Sequence, residues 1–479
     1  MHAPARWRGT DQGGAGDHGY LYFSSAVLGQ NFIISMNFLT AIQQYALIGQ
    51  DNSRGIRQSI YGSGSVQLVN RLASIAGILT GIPLCHSQYC FAARCRIVIQ
   101  KGQLDLRKFV APEFVCGHGA LQLAGRYARN FGMKQVLLVT DPGVRAAGWA
   151  DAVGESLTEA GIPFTIFDSL SPNPRSGQVM AGVEIYRFEE CNGIVAVGGG
   201  SPMDCAKGIG IAGSNMQDIL TFEGVDRVPV PASPLICIPT TAGSSTNVSQ
   251  FAIITDEERK RKIAIISKTL VPDISLLDPE PLTTMSPELT VDTGMDALCH
   301  AIEAYVSNAS SPLTDLHALE AIRLIHTALP AVIDAPEDLN LRFSTLLASL
   351  HAGLAFSNAS LGAAHAMAHS LGGTLDLPHG RCNALLLEHV IAANYEAAPD
   401  RYDRIGAIIG RGQDEKTTLA EMVAAFRRTL GITETLAAAG VSEDGIRTLA
   451  RKAYADPCLV TNPRRLTCEA IERIYEYAL

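Results

Sequence analysis

Charge is scarce in this 479-residue sequence, at 18% Asp, Glu, Lys and Arg, and so are aromatic residues, at 6% with only 2 Trp. A chain with so few charges and 47% hydrophobic residues is too apolar to stay disordered, yet its charges are too widely spread for a polytopic membrane protein. Long apolar runs are missing too. Gly19 to Gln50 carries no charge, but Gly29-Gln30-Asn31 and Gln43-Gln44 break it well short of the ~20 consecutive apolar residues of a membrane span. A secretory signal is not formed either, because Arg6 and Arg8 are cut off from the apolar part by a Gly-rich stretch holding Asp11 and Asp17. No membrane partner is expected. There is no basic face: the formal net charge is −9, and the one dense cluster, Arg259-Lys260-Arg261-Lys262, reads as a solvated turn or helix end. Phosphate neutralisation needs more, so nucleic acid is not expected as a partner. Tight cysteine pairs are absent as well. Cys85, Cys90 and Cys95, with His86 nearby, lack the two-residue spacing of structural zinc sites. Most of the 11 cysteines sit in apolar stretches such as Leu235-Ile236-Cys237-Ile238, as buried free thiols do, which places the chain in a reducing, cytoplasmic compartment.

What is present exceeds one hydrophobic core. Residues 1–104 show neither periodicity nor caps; an extra segment, a targeting region and translated upstream sequence all remain open, the last being the preferred reading. From Arg107 the texture becomes orderly. Short β-rich runs, Gln135 to Thr140, Phe164 to Phe167, Gly193 to Val197 and Leu235 to Ile238, alternate with helical stretches. Such alternation predicts a mainly parallel sheet with helices on both faces over residues 105–282. From about residue 283 the chain turns into Ala/Leu-rich helices, giving an all-α second domain over 283–479.

In the first of these domains the strand Ile194 to Val197 runs into Gly198-Gly199-Gly200-Ser201, then Pro202 at an expected first helical position and a helix over Met203 to Gly210. A helix start offers free N–H groups and the positive end of a dipole, which suit a pyrophosphate, although a plain tight turn uses the same residues. A second strand end, Ile238-Pro239-Thr240-Thr241-Ala242-Gly243-Ser244-Ser245, puts hydroxyls where a doubly wound sheet keeps its ligand crevice; an ST-rich helix cap is the simpler alternative. A third ends at Thr140-Asp141-Pro142-Gly143. A carboxylate there can accept from the ribose hydroxyls of NAD and repel the 2′-phosphate of NADP, or it can merely start a turn.

In the second domain, Asp296 and His300 are four residues apart in the helical stretch Asp292 to Ser307 and so share a face. A packed or capping His300 with a solvated Asp296 would look the same. Gly362 to Gly372 places His365 and His369 on one helical face, and Pro378-His379-Gly380 follows a Gly-Gly-containing loop. Three histidines and an aspartate in apolar helices need partners, and a shared cation supplies them.

The pattern G-x-x-H-x-x-A-H-x-L-G-x5-P-H-G, complete from Gly362 to Gly380, together with DALCH (Asp296 to His300), GGGSPMDCAK (Gly198 to Lys207) and PTTAGSS (Pro239 to Ser245), resembles the iron-containing (group III) alcohol dehydrogenases from Arg107 to the C-terminus. The resemblance implies a dehydroquinate synthase-like fold, an α/β nucleotide-binding domain followed by an all-α metal-binding domain. It further implies Asp296, His300, His365 and His379 as ligands of one divalent ion, Fe2+ or else Zn2+, and His369 as a proton relay. The NAD-binding positions it implies are Asp141, Asn173, Gly199, Gly200, Ser201, Asp204, Thr240, Thr241, Ser244 and Lys262. The implied activity is reversible hydride transfer between a small, primary aliphatic alcohol or its aldehyde and NAD, in a homodimer. A hydroxyacid–oxoacid transhydrogenase of the same architecture and a catalytically idle regulatory relative are the alternatives. Two features depart from the family: residues 1–104 have no counterpart, and Glu388 stands where relatives often have Pro.

Overall fold

The computed structural model describes residues 106–410 and 417–479, so the expectations for residues 1–104, including the Cys85–Cys95 grouping, lie outside the described residues. Leu104–Leu479 forms one compact unit. Its first half holds β1 (Glu113–Cys116), β2 (Val136–Val139), β3 (Phe164–Phe167), β4 (Gly193–Gly198), β5 (Gly224–Val225), β6 (Leu235–Pro239), β7 (Phe251–Asp256), β8 (Arg261–Ile266) and β9 (Ile274–Leu277). Six of them make an all-parallel sheet in the order β1-β9-β6-β4-β2-β3. The helices α1 (Ala124–Asn130), α2 (Pro142–Ala146), α3 (Trp149–Glu159), α4 (Ser176–Phe188) and α5 (Gly200–Asn215) cover it. Alternate residues of one strand enter different cores. Leu137 and Val139, Ile194 and Ala196, and Cys237 pack on one face. Val136 and Leu138, Val195 and Val197, and Ile236 and Ile238 pack on the other. Burial on both faces is why these strands read as unbroken hydrophobic runs.

Strand order reverses between β2 and β4, since β3 lies outside β2 while β6 continues beyond β4. The carboxyl ends of β2 and β4 therefore flank a topological switch point, where an open α/β sheet forms its ligand crevice. Two local expectations need correction. First, α5 opens at Gly200 rather than at Pro202: Gly199 takes the extended cap conformation, and Pro202, inside the first turn, has no N–H that the helix would need. Second, the basic stretch Arg259–Lys262, expected to be a solvated turn or helix end, is a turn only in part. Its first part is the turn of a β7–β8 antiparallel hairpin and its second part begins β8, in a separate three-stranded sheet β5-β8-β7.

The second half is helical: α6 (Pro287–Val306), α7 (Pro312–Asp334), α8 (Leu339–Ala359), α9 (Ala363–Leu375), α10 (His379–Asn394), α11 (Pro399–Ile408), α12 (Leu419–Thr429), α13 (Ile446–Tyr454) and α14 (Cys468–Ala478). Ser286 caps α6 by accepting from Leu289 N at 3.1 Å, and Pro287 fills its first position. By length and composition alone α7 could cross a bilayer. Its buried residues Ala318, Ala321, Ile322, Ile325, Leu329 and Val332 instead follow the helical period and pack against α6 and α8, the mark of a core helix. Glu388 ties α10 to α12: Arg427 donates to it from Nε at 3.0 Å and from Nη2 at 3.2 Å.

Candidate metal centre and nucleotide cleft

Three side chains recur along one stripe of α6: Asp296, His300 four residues on and Glu303 three beyond that. All three are buried, each about 4% exposed. Across from them α9 carries His365 and His369, and α10 opens on His379. The helices can approach so closely because residue 380 is glycine. A Cβ there would lie 2.2 Å from the carbonyl oxygen of Asp292 on α6.

Donor atoms converge on the Asp296 carboxylate. Its Oδ1 is 3.7 Å from His365 Nε2 and 3.8 Å from His379 Nε2, and its Oδ2 is 3.9 Å from His300 Nδ1. A tetrahedral shell with bonds of about 2.0–2.2 Å sets neighbouring donors roughly 3.3–3.6 Å apart, so small side-chain movements would close these gaps on one ion. Asp296, His300 and His365 offer ligand atoms within 4.8 Å of one another; His379 falls outside that group and joins it through Asp296. The rings pack as well, His300 against His365 at 4.4 Å between centroids and against Phe356 of α8 at 4.3 Å. His369 pairs with a different carboxylate. Its ring stacks on His379 at 5.2 Å, and its Nδ1 is 2.9 Å from Asp456 Oδ2.

The electrostatics suit a cation. Burial opposes ionisation of Asp296, but His300, His379 and His365 outweigh it and hold the carboxyl well below the usual range. Burial pushes His300 down to about 3 and drives His379 well below its ordinary value, so both imidazoles are neutral and keep a lone pair. His365 goes the other way: burial disfavours its charge, yet Cys299 and hydrogen bonds to Asp296 and Glu303 raise it. Two buried carboxylates flanking one imidazole call for a positive charge, and a proton or a metal ion can supply it. His300 Nδ1 is buried without a hydrogen-bond partner among the described residues, although it is the atom aimed at Asp296. A coordinated ion would complete it. One carboxylate and three imidazoles fit Fe2+ or Zn2+.

Sequence reasoning missed three neighbours of this centre. Asn383 Nδ2 donates to Asp296 Oδ1 at 2.7 Å and lies 3.1 and 3.3 Å from the Nε2 atoms of His365 and His379. Glu303 and Asp456 hold the far nitrogens of His365 and His369. The i, i+4 spacing of His379 and Asn383, and the continuing stripe Asp296, His300, Glu303, carried the signal for two of them. Asp456 had none, since it reaches His369 from a distant 3-10 turn, Pro457–Thr461, which it caps.

On the nucleotide side one cleft joins Asn173, Gly200, Ser201, Asp204, Ser244 and Lys262 to the histidines of α6, α9 and α10. Lys262 Nζ donates to Asn173 Oδ1 at 2.8 Å, and burial lowers its pKa. Asn173 N also donates to Ser201 Oγ at 3.2 Å. Gly199, Thr240 and Thr241 line the ends of β4 and β6 without touching this cleft's wall. Asp141 caps α2: its Oδ1 accepts from Gly143 N and Val144 N, both at 2.9 Å, and these bonds engage that oxygen alone. The eight described cysteines are all free thiols, six of them buried.

A family model for iron-containing alcohol dehydrogenase matches residues 111–279, and one for the C-terminal part of the Fe-containing alcohol dehydrogenase family matches residues 290–479. The chain belongs to the iron-containing alcohol dehydrogenase family. This iron-type dehydrogenase is 41% identical to alcohol dehydrogenase 4 of Schizosaccharomyces pombe, covering 78% of the chain and 90% of the relative. It is 36% identical to the NAD-dependent methanol dehydrogenase of Bacillus methanolicus, covering 78% and 99%. Among solved structures, a 1,3-propanediol oxidoreductase superposes with a TM-score of 0.75 at 38% identity, covering 78% of the dehydrogenase and all of that chain.

Proposed function

We propose that this chain is a metal-dependent alcohol dehydrogenase that moves hydride reversibly between a small, primary aliphatic alcohol or its aldehyde and NAD. The observation that carries the reading is the convergence of His300, His365 and His379 on Asp296 in a cleft shared with α5. Residues 283–479 would hold the ion through these four side chains, and residues 105–282 would hold NAD. A bound Fe2+ or Zn2+ supplies Lewis acidity, which promotes loss of the hydroxyl proton in one direction and polarises the carbonyl in the other. The remaining work falls to the chain. The start of α5, with Gly199, Gly200 and Ser201, and the Lys262 ammonium offer positive potential to the pyrophosphate. Thr240, Thr241 and Ser244 lend hydroxyls, and Asn173, fixed by Lys262, lies beside Ser201 and Asp204. Phe356, stacked on His300, and Leu361 line the cleft and would keep water from the reacting carbon. His369, with Nδ1 held by Asp456, has Nε2 left to carry the hydroxyl proton toward solvent.

Metal analysis of protein purified without oxygen, followed by a panel of C2 to C6 alcohols with NAD, tests the reading. One ion per chain and NADH formation are expected; absence of both refutes it. His369→Ala should keep the metal and lower kcat by about 10²–10⁴. An unchanged rate and pH profile would remove the relay. Asp141→Gly should relax the choice of NAD over NADP, because Oδ2 is the oxygen left for a ribose hydroxyl; equal use of both cofactors by the wild type would count against this. A cytoplasmic homodimer completes the proposal. Free thiols throughout the described residues support the compartment, and light scattering tests the dimer.

A further inference from the structure

The N-terminus of α9 is capped from another helix. Gly362 offers no side chain, and the first N–H groups of α9 turn to Glu303 of α6 instead. Glu303 Oε2 accepts from Gly362 N at 3.0 Å and from His365 N at 3.4 Å, and Oε1 accepts from Ala364 N at 2.7 Å. Asn462 Oδ1 takes Ala363 N at 3.1 Å. The carboxylate can enter only because residue 362 lacks a Cβ, which would stand 2.8 Å from Glu303 Oε1. A buried negative charge is at ease there, against the positive end of a helix and among backbone donors.

The same carboxylate has a fourth neighbour, His365 Nδ1, 2.7 Å from Oε2. Cys299 Sγ is the other group near that nitrogen, a full ångström more distant at 3.7 Å. Glu303 already accepts from backbone N–H groups and so must be an acceptor toward the ring as well, which puts the imidazole proton on Nδ1. The lone pair is then on Nε2, the atom that looks at Asp296 Oδ1 across 3.7 Å. An imidazole that donates to a carboxylate is also a more basic ligand through its other nitrogen, and its ring cannot rotate away.

We propose that Glu303 is a positioning residue of the metal centre: it selects the Nδ1–H form of His365, orients Nε2 toward the ion and strengthens that nitrogen as a donor. This rests on the ligand set proposed above. Because one carboxylate caps α9 and grips His365, the place of the helix and the aim of its ligand are set together.

The experiment loads the full-length protein with Co(II), measuring affinity by chelator competition and the ligand-field absorption of the bound ion. The wild type should take up one ion per chain; if it does not, the ligand set itself fails, and this inference with it. Glu303→Gln keeps the shape and an acceptor oxygen but removes the charge. It should bind Co(II) about 10- to 100-fold more weakly, with shifted absorption bands and, in the active holoenzyme, a lower kcat at an unchanged KM for NAD. A folded Glu303→Gln protein with wild-type affinity and an identical spectrum would overturn the proposal while leaving the ligand set standing. Should that variant not fold, the nitrogen spectrum of 15N-histidine-labelled, Zn(II)-loaded wild type decides: a proton on Nδ1 of His365 is expected, and a proton on Nε2 overturns the idea.

Discussion

Replacing His365 by alanine should empty the protein of its tightly bound ion and lower kcat/KM for alcohol oxidation by at least about a thousandfold. His365 is 1% exposed and stands between the other donors, with Asp296 on one side, His300 stacked on its face and His379 across from it. Removing it takes one of three neutral nitrogens from the shell and leaves Asp296 and Glu303 buried without the positive charge that reconciles them. Lewis-acid stabilisation is worth several kcal/mol, and each 1.4 kcal/mol is a factor of ten in rate. Elemental analysis beside steady-state kinetics reads both effects. A variant with full metal content and more than a tenth of wild-type activity would remove His365 from the centre.

A second large effect is expected at a buried residue outside the proposed ligand set. Lys207 on α5 is 1% exposed, and its Nζ donates to the carbonyls of Ser249 and Phe251, both at 2.8 Å, and more weakly to Ser249 Oγ at 3.4 Å. Burial lowers its pKa while the nearby Asp204 carboxylate sustains its charge. Lys207→Met keeps most of the volume, yet it strips two buried carbonyls of their donor and Asp204 of its countercharge. The expected cost is about 3–5 kcal/mol, read as a lower urea midpoint for the wild-type signal. A shift worth less than about 1 kcal/mol would mean that water or a relaxed backbone replaces the ammonium.

Much of this was legible in the chain. Asp296 and His300 announce a shared face by their spacing, and Gly362 to Gly380 spells out the rest of the proposed centre in one continuous pattern. The two-faced parallel sheet showed itself because fully buried strands have no polar interruption. The β7–β8 hairpin stayed hidden for a definite reason. Its turn has none of the Asn-Gly or Asp-Gly pairs that mark tight hairpins; the left-handed position is taken by Lys260 at φ 49°, inside a basic run that looks like solvated surface. Asp456 stayed hidden because a capping carboxylate in a 3-10 turn has no periodicity to betray it. Asp141 shows a different limit, since the turn-starting and the ribose-binding readings ask for the same residue at the same strand end, and its capping bonds use only one of two oxygens.

The four proposed ligands come from just two stretches of chain, with α7 and α8 lying between them. An ion gripping both would act as a clasp, fastening residue 296 to residue 379 and closing the intervening polypeptide into a loop. Such a cross-link acts on the denatured chain as much as on the native one, since a tethered loop has less disorder to gain by unravelling. The cation that activates the alcohol would thus also be a staple of the helical half, and a strong chelator would loosen the very helices that shape the cleft.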